Sequence, residues 1–259
     1  MNGWIRASNL DALEYYYCNE YDPNNTVEKF VASITETEPE TKATKHGTKF
    51  HKLIDEASKD TIPGIVIRDM SRDFETSQEI KLLRPQSSEF RAYRTLRFGD
   101  DEVTFTGKAD AIHGRTIIDY KTTAASTIDL EKYMFAYQWR AYLFLNERAD
   151  RFRYEVFRFN AGYSKILDHD YIEMRRYDGM EDEVVEAIRQ YWRFVKRLHN
   201  EGWIEIRPNG PPLLGEKTKP KPVYSGLDIG SGTDGTYKWA SDTAYIYGLQ
   251  QQLLSQPNT

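Results

Sequence analysis

Apolar positions recur along this chain at two different periods, and the switches between them mark its elements. From Ser8 to Tyr17 the period is helical, with Leu10, Leu13, Tyr16 and Tyr17 on one side and Ser8 as the expected N-cap; Asp22-Pro23-Asn24-Asn25 ends the run. Gly47 to Ala57 is a second helical stretch, its stripe built from Phe50, Leu53, Ile54 and Ala57, with Pro63-Gly64 breaking the chain behind it. Residues 65–85 show no dominant period. From Glu89 the period becomes two. Phe90, Ala92, Leu96 and Phe98 alternate with Arg91, Tyr93, Thr95 and Arg97, and only Arg94 is out of step. Gly99-Asp100-Asp101 turns the chain into another alternating stretch at 102–112, and His113-Gly114 turns it into a third, Thr116 to Lys121. Together these predict an antiparallel meander.

Helical spacing then returns over Asp129–Arg148 through Leu130, Met134, Tyr137, Ala141 and Leu145. Two strands follow, about 151–160 and 165–173, joined by Asn160-Ala161-Gly162-Tyr163. An amphipathic helix over Asp182–Asn200 is closed by Gly202. This order predicts an α/β (α+β) domain over residues 1–205. From Arg207 to about Gly235 the composition shifts, with five of the chain's 10 prolines and a Lys-Pro-Lys-Pro run. Residues 206–259 therefore read as a Pro/Gly/Lys-rich linker and C-terminal extension, with a small terminal helix over Tyr237–Leu254.

Composition removes several classes. The 259 residues are 39% hydrophobic and 29% charged, and no run reaches the roughly 18 apolar residues of a membrane helix. Met1-Asn2-Gly3-Trp4-Ile5-Arg6 lacks the basic-then-apolar order of a secretory signal, so a cytoplasmic location is expected. Cys18 stands alone, which excludes an intramolecular disulfide, a four-Cys zinc site and a cysteine-ligated iron–sulfur cluster. No Gly-x-x-x-x-Gly-Lys-Ser/Thr loop is present for a nucleotide-driven motor. The net charge of −5, from 35 Lys+Arg against 40 Asp+Glu, argues against coating nucleic acid by bulk electrostatics and leaves room for a local basic rim.

Candidate chemistry concentrates in Gly107-Lys108-Ala109-Asp110 and Ile118-Asp119-Tyr120-Lys121. Strand pleating puts Asp119 and Lys121 on one face and Ile118 and Tyr120 on the other, and a hairpin at His113-Gly114 brings Asp110 toward Asp119. Converging carboxylates suit a hard divalent cation, Mg²⁺ or Mn²⁺, and Lys121 beside them can orient water or stabilise charge on a phosphate oxygen. His51, one position off its helix's apolar stripe, is a candidate further ligand. Arg91 and Arg97 share a strand face with Glu89, and Lys108 shares that of Asp110, which reads either as a backbone-gripping rim or as solvated surface.

The ordered set Gly47…His51, Gly107-Lys108-Ala109-Asp110, Asp119-Tyr120-Lys121-Thr122 and Gln138-Trp139-Arg140-Ala141-Tyr142 resembles the PD-(D/E)XK nuclease superfamily, and within it the RecB/RecE-like exonuclease branch. The resemblance covers about residues 44–173, with a weaker echo at Arg6-Ala7-Ser8-Asn9-Leu10. It implies a restriction-endonuclease-like core, a central mixed β-sheet of about five strands flanked by helices. It implies metal held by His51, Asp110, Asp119 and the main-chain carbonyl of Tyr120, with Lys121 as catalytic lysine. Gln138 and Tyr142, one helical turn apart, would hold substrate or orient catalytic groups. Glu89 is the candidate for the superfamily's additional acidic residue.

The activity so implied is metal-dependent DNA phosphodiester hydrolysis, as an exodeoxyribonuclease in recombination, repair or phage DNA processing. Its partners would be linear duplex or single-stranded DNA ends, a single-strand annealing or binding protein, and further copies of the chain in a homo-oligomer. Three other readings stand beside it. One is a catalytically inactive nucleic-acid-binding or assembly subunit on the same fold, and one is a structure-specific endonuclease. The third is an unrelated α/β protein in which Asp119 and Lys121 form a plain surface ion pair.

Overall fold

The structure, a computed structural model, describes residues 1–19, 21–57, 65–67, 75–76 and 79–218. The expected break at Pro63-Gly64 and the expected helix at 237–254 lie outside the described residues. Alternation at 89–121 is realised as three long strands, β5 (Ser87–Phe98), β6 (Asp101–His113) and β7 (Thr116–Thr123), each antiparallel to the next. β8 (Arg151–Phe159) then runs parallel to β7, and β9 (Lys165–Arg175) antiparallel to β8. These five are the mixed sheet that the family resemblance implies. Two short strands extend it. β1 (Asn2–Arg6) lies parallel to β6, and the two-residue β3 (Glu75–Thr76) lies parallel to β9. A separate pair joins β2 (Ile65–Ile67) to β4 (Ile80–Leu82).

Helices cover both faces. On one side α1 (Ser8–Cys18), α2 (Val27–Ile34), α5 (Tyr137–Leu145) and α6 (Met180–Asn200) bury Leu10, Phe30, Phe144 and Trp192 against Ile5, Phe105, Ile117 and Tyr154 of the sheet. On the other, α3 (Lys42–Ala57) buries Phe50 and Ile54 against Ile118, Tyr120, Phe157 and Phe159. Burying apolar area at about 25 cal/mol per Å² is what holds both layers to the sheet.

The helix ends differ from expectation in instructive ways. Ser8 is the first residue of α1 rather than its cap; Ala7 precedes it without a side-chain hydrogen bond, while Asn9 Oδ1 accepts the Arg6 N–H at 2.8 Å. α3 starts at Lys42, five residues early, where the Thr41 hydroxyl accepts the Thr44 N–H at 3.1 Å. The single helix expected over 129–148 is two, α4 (Glu131–Phe135) and α5, separated by Ala136 with ψ 137°. At the end of α6, Gly202 has φ 80°, its N–H bonds the His199 carbonyl, and the Trp203 N–H bonds the Leu198 carbonyl. That is a Schellman closure, and it requires the left-handed residue that glycine supplies cheaply. Residues 206–218, past the expected boundary at 205, continue the folded structure. β10 (Ile204–Glu205) pairs with β11 (Leu213–Leu214), and Ile206 and Leu214 pack against the core.

Candidate active site

β6 and β7 part company where the candidate residues lie. They are paired only through Ala111–Ile118, Ile112–Ile117 and His113–Thr116, while β1 occupies the same edge of β6 at 102–106. Gly107 to Asp110 are left without a strand partner on that edge, and β7 continues alongside β8. A backbone donor freed in this way needs another acceptor. Asp110 provides it, its Oδ2 accepting the Tyr120 N–H at 2.9 Å. The strand also twists here. Ala109 packs with Phe105 and Ile117 but Ala111 with Ile118, although residues two apart normally share a face, and Glu89, beside Asp110 on β5, has φ 53°.

α5 closes the opening from one side. The Tyr142 hydroxyl donates to the Lys108 carbonyl at 2.6 Å, satisfying a backbone acceptor that no strand reaches. Its ring passes so close to β6 that a Cβ on residue 107 would stand 2.7 Å from it and 2.8 Å from Leu145, which is the physical reason for Gly107. One turn earlier, Gln138 Nε2 lies 3.5 Å from Asp119 Oδ1, and its Oε1 accepts the Tyr154 hydroxyl at 3.3 Å.

What aims α5 is a residue that pattern reasoning missed. The Asp11 carboxylate, from α1, accepts the Tyr137 N–H at 2.5 Å and the Gln138 N–H at 3.2 Å, capping the helix across the break at Ala136. Burial pushes this carboxyl up to about 6, against the pull of the two N–H groups. A cap 126 residues from its helix leaves no local signature.

His51 enters from α3. Its Nε2 lies 2.6 Å from the Tyr120 carbonyl and its Nδ1 3.5 Å from Asp110 Oδ1. Tyr120 is thereby held at both backbone groups, N–H by Asp110 and carbonyl by His51, while its ring packs in the α3-side core. On the opposite face of β7, Lys121 Nζ is 2.7 Å from Asp119 Oδ2. Asp119 is only 4% exposed. Burial, reinforced by the charge of Asp110, pushes its carboxyl up to about 6 against the attraction of Lys121. For Asp110, burial acts upward too, but His51, the Tyr120 N–H and Lys121 outweigh it and hold the carboxyl below its usual range. Burial works to deprotonate both Lys121 and His51, and the two aspartates overcome it and keep each pKa raised.

A family model of the PD-(D/E)XK nuclease superfamily matches residues 12–211, more than half of the chain. The protein belongs to this superfamily. No curated protein matches the sequence significantly. Among solved structures, a phage-related exonuclease from Haemophilus somnus 129PT matches at 13% identity, covering 78% of this chain and 97% of that one with a TM-score of 0.45. The alkaline exonuclease LHK-Exo from Laribacter hongkongensis matches at 11% identity, covering 77% and 93%, with a TM-score of 0.39.

PD-(D/E)XK nucleases typically use divalent metal ions, and the donors here have the matching chemistry: two carboxylates, a main-chain carbonyl and an imidazole. Asp119 Oδ2 is buried and makes no well-aligned hydrogen bond, its near neighbour being the Lys121 ammonium. Among the described residues no three His, Cys, Asp or Glu side chains are already gathered as a ligand shell. They engage other groups instead, Asp119 with Lys121 and His51 with the Tyr120 carbonyl, so a metal ion held here would take the place of these partners. Glu89 does not join them. It is exposed and pairs with Lys108 at 2.6 Å.

Among the described residues no helix is long and apolar enough to cross a membrane.

Proposed function

We propose that this nuclease-superfamily protein is an exodeoxyribonuclease dependent on Mg²⁺ or Mn²⁺, with His51, Asp110, Asp119, the Tyr120 carbonyl, Lys121, Gln138 and Tyr142 forming its site. The observation that supports the reading best is the joining of two clusters at one opening in the sheet: His51, Asp110 and the backbone of Tyr120 on one side of β7, Asp119, Lys121 and Gln138 on the other. A bound divalent ion supplies a water of lowered pKa and charge neutralisation at a phosphate. Asp110, Asp119 and the Tyr120 carbonyl would hold it, with His51 as the nitrogen donor.

The remaining work falls to the chain itself. Lys121, kept as an ammonium beside Asp119, is a hydrogen-bond donor aimed at the opening; it orients a water or meets charge growing on a phosphate oxygen. Gln138 keeps Asp119 oriented from the α5 side. Tyr142 acts through the backbone of Lys108 and so sets where Asp110 stands. The exonuclease assignment is supported by the RecB/RecE-like arrangement of the motifs, and DNA as substrate by the superfamily.

The test is cleavage of end-labelled linear and closed circular DNA in Mg²⁺, Mn²⁺ or EDTA by wild type, Asp119→Ala and Lys121→Ala. Digestion of the linear form alone, dependent on the metal and lost in both variants, is expected. Equal activity in the variants removes the proposed site, and equal cutting of the circle replaces exonuclease by endonuclease. A wild type that cleaves nothing leaves the reading of a nucleic-acid-binding or assembly subunit.

A further inference from the structure

We propose that the outward face of β5 and β6, centred on Tyr93 and flanked by Arg91, Arg97 and Lys108, is a platform for single-stranded DNA beside the Asp110 end of the site. The direction it assigns to the strand rests on the nuclease reading; the surface chemistry stands apart from it. Ala92, Leu96 and Phe98 of β5 pack on the core, and the Arg94 guanidinium lies 4.4 Å over the Phe144 ring. That stacking explains why Arg94 stands out of the alternation. Pleating turns Arg91, Tyr93, Thr95 and Arg97 to the other side, where all four are exposed.

Residues directly opposite in an antiparallel pair share a face. Arg91 faces Lys108, Tyr93 faces Thr106 and Thr95 faces Thr104. Tyr93 is 73% exposed, more than any other aromatic ring of the described helices and strands. Lys108 is two residues from Asp110, roughly 7 Å along the strand, and Tyr93 is one further two-residue step beyond the Arg91–Lys108 pair. A few nucleotides laid along β5 and β6 would span from the exposed ring to the carboxylate.

Charge selects a single strand over a duplex. Lys108 is paired with Glu89 at 2.6 Å and Arg97 with Glu102 at 3.3 Å, so of the three cations only Arg91 lacks an anionic partner among the described residues. Duplex binding draws its strength from neutralising many phosphates, which so balanced a face does not offer. An unpaired strand adds base stacking on an exposed ring, and that attraction is indifferent to sequence. The two existing ion pairs are solvent-exposed, so a phosphate can displace either carboxylate at small cost.

The experiment is fluorescence anisotropy of a labelled oligo-dT and of a labelled hairpin duplex, titrated with the full chain in EDTA, for wild type, Tyr93→Ala, Tyr93→Phe and Arg91→Ala, with circular dichroism as the check on folding. Tyr93→Ala should weaken oligo-dT binding about tenfold, and Tyr93→Phe, which keeps the ring, should stay within about twofold of wild type. Arg91→Ala should lower the slope of log affinity against log salt by about 0.7. The proposal is overturned by no measurable oligo-dT binding to wild type, by tighter binding of the duplex, by unchanged affinity of Tyr93→Ala, or by equal losses in Tyr93→Phe and Tyr93→Ala. Cleavage by wild type in Mg²⁺ or Mn²⁺ is scored separately. Cleavage with unaltered Tyr93→Ala binding removes the platform alone, whereas a Tyr93-dependent affinity without cleavage removes the nuclease reading alone.

Discussion

Two buried carboxylates on neighbouring strands of one sheet have opposite surroundings. Glu155 on β8 is fully buried, and both of its oxygens are used, Oε1 by Arg153 Nε at 2.7 Å and Oε2 by His169 Nε2 at 2.7 Å, with the Arg153 guanidinium stacked 3.5 Å over Tyr171. Asp119 on β7 is almost as deeply buried but has one close partner, Lys121, a long contact to Gln138, and a second acid, Asp110, nearby. A saturated carboxylate stabilises the register of β8 with β9 and has nothing left to offer a ligand. An unsaturated one, with a like charge beside it, is held at a cost that a bound cation would relieve. Satisfaction of the lone pairs, rather than burial, separates the structural acid from the candidate functional one.

Exchanging charge for an amide at each position should break the two regions in different ways. Asp119→Asn should lower the cleavage rate by about a hundredfold or more while costing less stability than the change at Glu155, since burial and Asp110 already hold the Asp119 charge at a cost that offsets its pairing with Lys121. Glu155→Gln should instead destabilise by about 3 kcal/mol, because it strands Arg153 and His169, while the folded fraction keeps its rate per molecule. Urea unfolding and single-turnover cleavage on both variants measure this, and a Glu155→Gln protein as stable as wild type would erase the distinction.

The wall of the opening is tested next. Gly107→Ala should cost about 1–3 kcal/mol, since the new Cβ meets the Tyr142 ring and Leu145 below contact distance. Adding Tyr142→Ala should recover part of that loss. Additive costs in a double-mutant cycle by thermal or urea unfolding would show that the ring and the glycine are not in contact.

The smallest effect concerns Asp11, which ties α1 to α5. Its folded-state pKa lies near 6 against 3.8 unperturbed, so the folded chain holds the proton more tightly than the unfolded one. Its contribution is therefore fully present below about pH 4 and is lost as pH rises through about 6. The stability of wild type relative to Asp11→Asn should fall by roughly 1–2 kcal/mol between pH 4 and pH 7. Urea midpoints at several pH values read this out, and a flat difference would mean that the carboxyl titrates as if exposed.

How much of this was legible beforehand depends on the range of the interaction. Alternation over 116–121 was enough to put Asp119 and Lys121 together on one face, and the 47–57 stripe was enough to set His51 off its helix's buried side. The break at Ala136 was not legible, because the apolar spacing of 129–148 is continuous and the cap that divides it comes from Asp11. Nor was the orientation of Glu89, which shares its alternating pattern with the outward residues of β5 but pairs with Lys108 rather than with the acids. β1 was missed because five residues give too short a pattern to show a period.

Side-chain direction within an element follows from covalent geometry and is written into the sequence at a period of 2 or 3.6, so the elements, their faces and the family motifs could be read without coordinates. Where β7 leaves β6, how Asp110 replaces the missing ladder bond to Tyr120, and why Tyr142 demands glycine at 107 were decided only in three dimensions. Each of these depends on groups distant along the chain meeting within hydrogen-bond or van der Waals distance, a condition that the packing of all the layers imposes together.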